Sequence, residues 1–196
     1  MRTLLIALLC LATLPAGEET YADPLNGYAF PAELMTGMKF IGHKVYPQQA
    51  LGYSVRYEDP ANGGVKVDIY LYDSGRTDIG DGVTSKPVVE LLGSFGDELQ
   101  QVVKMGSYQA VRGDETLGKA LAAIDAKMLL SAGFEIQYPK GKDGSDGRTM
   151  KSLLLLTAIN GRIFKVRASY LPSYPLDHAA FGASLVTMVK ELRAKR

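Results

Sequence analysis

Apolar and polar side chains alternate strictly over 65–72, with Val65, Val67, Ile69 and Leu71 set against Lys66, Asp68, Tyr70 and Tyr72. That is the period of a strand with one face buried. Extended character also predicts strands over 38–46 and 53–57. The run Asp59-Pro60-Ala61-Asn62-Gly63-Gly64 consists of turn formers, so the strands on either side of it pair antiparallel. From 73 to 84 glycines and aspartates break any period, which predicts a loop. The period then changes to that of a helix: Val88, Leu91, Leu92, Phe95, Leu99, Val102 and Val103 recur at helical spacing. Ser85 is the expected cap, Pro87 falls in the first turn, and Gly106 marks the end. Gly93 and Gly96 weaken the middle of this helix.

Over 117–130 two periods compete. Leu117, Leu121, Ile124 and Met128 fit a helix, whereas 124–128 alternates as a strand does, and both alternatives stay open. Residues 133–138 read as extended. The sharpest local signal is Asn160-Gly161 between the apolar runs 153–159 and 162–170, the signature of a two-residue type I′ hairpin. That turn puts Leu153, Leu155 and Thr157 on one face with Phe164, Val166 and Ala168, and Leu154, Leu156 and Ala158 on the other with Ile163, Lys165 and Arg167. A closing helix follows, capped by Asp177, with Phe181, Leu185, Met188, Val189 and Leu192 as its apolar stripe. The basic Lys190, Arg193, Lys195 and Arg196 suit the negative end of its dipole.

The first residues carry a different pattern: Arg2, an apolar run from Leu4 to Leu11, then Leu14-Pro15-Ala16-Gly17. This is the layout of a secretory signal peptide over residues 1–17, too short to span a bilayer, with the mature start expected between Gly17 and Tyr21. Residues 18–37, broken by Pro24, Gly27 and Pro31, are expected to pack irregularly, with Phe30 and Leu34 as pins, and 38–196 form one α+β domain. The expected location is periplasmic or secreted, with no transmembrane segment in the mature chain. Cys10, the only cysteine, leaves with the signal, so neither a disulfide nor a thiol nucleophile is available. A lipid-anchored alternative at Cys10 is disfavoured by bulky Leu9 before it. The formal net charge of +1 falls to near zero when Arg2 is removed, which argues against a nucleic-acid partner.

Catalytic and metal-binding signatures are sparse. Two histidines, His43 and His178, lie far apart in the sequence, and no helical histidine pair, Gly-x-Ser-x-Gly elbow or phosphate-cradling glycine motif occurs. No catalytic residue, metal site or cofactor is assigned. Dispersed carboxylates of a glycosidase leave little local trace, so a hydrolase stays open as an alternative. The aspartate loops at 73–81 and 142–147 miss the EF-hand spacing and are expected to be solvated turns. The binding candidates are Lys165 and Arg167, on a half-apolar hairpin face that something must cover. The ordinary expectation is a helix over the leucines with both basic side chains at its rim, and the sharper one is contact with an anionic ligand or partner. Arg56 and Asp68 share a polar strand face, where a cross-strand ion pair is expected.

Two stretches carry a resemblance. The opening Leu51-Gly52-Tyr53-Ser54-Val55-Arg56-Tyr57 and the closing Asn160-Gly161-Arg162-Ile163-Phe164-Lys165-Val166-Arg167-Ala168-Ser169-Tyr170, followed by a proline-containing turn and an amphipathic helix, resemble the PsbP/Mog1-like domains over about 51–192. The resemblance implies an α/β/α sandwich around an antiparallel sheet, a strand rather than a helix within 117–130, and a mostly non-enzymatic binding or accessory role. It transfers no functional residue. The expected function is an exported, non-enzymatic binding or accessory protein of the bacterial cell envelope, with an envelope protein as partner. The alternatives are a hydrolase of an envelope polymer and a carrier of a small ligand.

Overall fold

The computed structural model describes residues 20–117, 119–120, 127–141 and 146–195. The expected signal peptide, Cys10 with it, lies outside the described residues. The described strands are β1 (Glu33–Met35), β2 (Met38–Val45), β3 (Tyr53–Glu58), β4 (Val65–Tyr72), β5 (Ala110–Gly113), β6 (Leu130–Gln137), β7 (Thr149–Ile159) and β8 (Arg162–Tyr170). They form one antiparallel sheet in the order β1-β2-β3-β4-β8-β7-β6-β5. Two long helices, α1 (Lys86–Lys104) and α2 (His178–Ala194), lie on opposite faces of it. The α+β class is as the pattern predicts, and the antiparallel sheet between helices is the arrangement that the resemblance implies.

Strand parity separates the two faces. Val65, Val67, Ile69 and Leu71 join Leu153, Leu155, Phe164, Val166 and Ala168 in the core beneath α2, where Phe181, Leu185 and Val189 pack. Leu154, Leu156, Ala158 and Ile163 point the other way and meet Val88, Phe95 and Leu99 of α1. The β7–β8 register is the one the Asn-Gly turn dictates: Leu153 faces Ala168, Leu155 faces Val166 and Thr157 faces Phe164. Asn160 and Gly161 take φ of 51° and 75°, the left-handed conformation a type I′ turn requires. Gly52, entering β3, is fixed by a close approach as well: a Cβ there would lie 1.9 Å from the Leu71 carbonyl oxygen.

Several elements differ from expectation. The segment 18–37 contains β1 and an isolated bridge between Ala22 and Ala29, and it is tied into the body at depth. Phe30 and Leu34 are buried, and the fully buried Asp23 accepts a bidentate pair of bonds from Arg162, one of them 3.0 Å from Nη1. β5 has no counterpart in the sequence pattern, and β6 starts three residues before the predicted 133–138. Residues 115–117 and 119–120 are helical, Lys127 and Met128 lie in a turn and Leu130 opens β6, while 121–126, which hold most of the alternating run 124–128, lie outside the described residues. Ser85 precedes α1 but its hydroxyl makes no capping bond, whereas Asp177 accepts from the Ala180 N–H at 3.0 Å as a cap should. Among the described residues no helix is long and apolar enough to cross a membrane.

Candidate functional site

Helix α1 covers the β6–β7–β8 half of its sheet face, and the β2–β3–β4 half of that face lies beyond the helix. Because neighbouring strands hold a strict register, the side chains pointing outward there form rows across the sheet. In one row Arg56 stands opposite Asp68, and Asp68 stands opposite Arg167. In the next, Ser54 stands opposite Tyr70, and Tyr70 opposite Lys165. A surface cleft of about 710 Å³ lies over the Arg56, Asp68 and Arg167 row. A second, of about 340 Å³, reaches β2 at Gly42 and Lys44 and shares Arg56, Asp68 and Tyr70 with the first, so the two adjoin across the Arg56–Asp68 pair and are taken together as the groove.

Arg167 is the centre of this groove. Its Nη2 donates to the Tyr108 hydroxyl at 2.7 Å, and its guanidinium carbon lies 5.9 Å from the centre of the same ring. Its buried Nε has no acceptor among the described residues. Tyr108 is delivered by the end of α1, where Gly106 takes a φ of 72° and turns the chain back toward β5. Tyr138 meets Tyr108 edge to face at 5.3 Å. It is held there by its own N–H, which donates to the Arg148 carbonyl at 3.0 Å. Three separate parts of the chain therefore converge on one guanidinium.

The electrostatics favour anions. Lys44, Arg56, Lys66, Arg148 and Arg167 line the groove against two carboxylates, Glu58 and Asp68. Asp68 is matched by Arg56, whose Nε donates to it at 2.7 Å. Arg148 lies 3.6 Å from exposed Asp146, a pair that water screens. Arg167 has no carboxylate within ion-pair distance among the described residues. Burial pushes the Tyr70 phenol up to about 12, with nearby Asp68 adding to it, and burial followed by the neighbouring Tyr108 raises Tyr138. Both phenols therefore keep their protons at neutral pH, and that of Tyr138 is shared with Tyr108.

The two binding candidates have different fates. Lys165 goes under α1, with its Nζ 5.0 Å from the Phe95 ring centre, and burial lowers its pKa. Arg167, two residues on, lies past the helix and faces the groove. The expected Arg56–Asp68 ion pair is present. His43 is exposed and stacks on Tyr21 at 4.1 Å, and His178 Nε2 pairs with the Tyr170 hydroxyl at 2.8 Å, so the structure gives each a neighbour and brings neither to Arg167. In the loop 73–81, Asp73 bonds the Gly75 N–H, Arg76 bridges Asp78 and Glu90, and Asp81 accepts from the Asn160 N–H. Part of the second aspartate loop, 142–145, lies outside the described residues.

Tyr70, Tyr108, Tyr138 and Arg148 were missed as a group. The tyrosine-rich strands offered a hint, but the gathering of these residues depends on β4 lying beside β8 and on the turn after α1, which no local spacing encodes. Comparison with protein-family models and with curated proteins finds no match for this chain.

Proposed function

We propose that this protein is an exported, non-enzymatic binding or accessory protein of the bacterial cell envelope, and that it holds a protein partner against the half of the sheet that α1 leaves bare. The observation that carries this reading is the groove on that half-face, with Arg167 held at its centre by Tyr108 and matched by no carboxylate among the described residues. A sheet face ordinarily needs a covering layer, and this one carries polar and aromatic side chains that can hydrogen-bond a partner. Its cationic excess fits an acidic surface. The signal-like residues 1–17 support export, and the resemblance to PsbP/Mog1-like domains supports an accessory role.

The test is affinity capture from the cell envelope of the source organism, using the full-length gene with a C-terminal tag. The native protein is compared with the double variant Arg148→Glu, Arg167→Glu, once circular dichroism shows that the variant is folded. The expected result is a mature chain beginning between Gly17 and Tyr21, with one stoichiometric partner retained by the native protein and reduced at least about tenfold by charge reversal. Equal capture by both, or capture of nothing, overturns the proposal.

A further inference from the structure

The floor of the groove is not uniformly basic. Asp68 lies between Arg56 and Arg167 in one row, and Glu58 stands opposite Lys66 in the next. A polymer charged at every unit, such as a nucleic acid or a sulfated polysaccharide, would bring its anions against these two carboxylates as well as against the cations. A peptide differs in that its acidic side chains can meet arginines while its amide N–H groups donate to carboxylates. The groove also has a length. From Gly42 and Lys44 on β2 to Met150 on β7 it crosses five neighbouring strands. Four strand spacings amount to about 19 Å. About six residues of extended chain cover that distance.

From this alternation and length we infer that the groove takes an extended acidic segment of a partner protein, about six residues long, crossing the strands with one carboxylate seated on Arg167 between Tyr108 and Arg148. The Tyr108 hydroxyl already engages Nη2, which leaves Nη1 for the incoming oxygens. The inference rests on the proposed binding function and specifies what that face recognises.

The probe is a six-residue peptide alternating glutamate and glycine, titrated into the isotope-labelled protein and followed by NMR. The controls are the same peptide with glutamine for glutamate, inorganic phosphate, and dextran sulfate at matched ionic strength. The acidic peptide is expected to shift the signals of Tyr70, Tyr108 and Arg167 and to bind at least about tenfold more tightly than its glutamine counterpart. Arg167→Gln should weaken it about tenfold, and Lys190→Gln, on α2, should leave it unchanged. If Arg167→Gln fails to fold, exposed Arg148→Gln serves instead and should weaken binding severalfold. Three results overturn the inference: no saturable shift up to millimolar peptide, indifference to both arginine substitutions, or displacement by phosphate or dextran sulfate at equal concentration. Peptide binding without capture of a partner would count against the accessory function alone, and capture sensitive to charge reversal without peptide binding would count against the acidic segment alone.

Discussion

Asp59 closes the turn between β3 and β4 by accepting bonds from the N–H groups of Ala61 and Asn62, from the Asn62 side chain, and from the hydroxyl of Tyr174. The Asn62 side-chain bond is the largest of the causes that draw its pKa down to about 2. With the folded value below the ordinary 3.8, the stabilisation is complete above about pH 4 and disappears as the pH falls toward 2. Asp59→Asn should therefore unfold at a lower temperature than the native chain at pH 7, and the two melting curves should converge near pH 2. Thermal unfolding followed by circular dichroism across pH 2–7 checks this, and a constant difference at all pH values would contradict it. The turn itself was legible in Asp59-Pro60-Ala61-Asn62-Gly63-Gly64, because Asp, Asn and Gly act over one to three residues. The bond from Tyr174 was not, since nothing local connects positions so far apart.

Among the elements, α1 decides where the sheet is covered and where it is open. Phe95 is its main anchor: the side chain is buried, meets Phe134 at 5.4 Å and supports Lys165. Phe95→Ala should cost about 3–5 kcal/mol, the range for removing a buried aromatic side chain, measured by denaturant unfolding. A cost below about 1 kcal/mol would mean that the helix is not anchored there. Wherever an element's signal is its own period, the sequence displayed it: the alternation of β4, the β7–β8 hairpin with its two faces, and the stripes of both helices. β1 and β5 escaped because three and four residues are too few to establish a period. The separation of Lys165 from Arg167 escaped for another reason. Both lie on the same strand face, and only the position where α1 ends distinguishes the covered residue from the open one.

At the scale of the whole molecule, Asp23 and Arg162 tie the N-terminal segment to the central strand β8, and both side chains are almost fully buried. Removing one partner leaves the other charge buried without compensation, so Asp23→Ala should destabilise the protein by about 3–5 kcal/mol, read from equilibrium unfolding in urea. A change under about 1 kcal/mol would show that the segment is only laid on the surface. A second consequence follows from the order of the strands. β1 to β4 form one meander and β5 to β8 another, and among the described strands the two pair with each other only along the β4–β8 ladder. Within each meander most neighbours are reached through short turns, but the ladder pairs Val65 with Tyr170 and Tyr72 with Ile163, roughly a hundred residues apart. This seam carries the largest loop-closure entropy in the sheet, which makes it the slowest part to zip. The row Arg56, Asp68, Arg167 straddles it. Neither meander alone carries the groove, so acquiring the binding face and completing the fold are a single event.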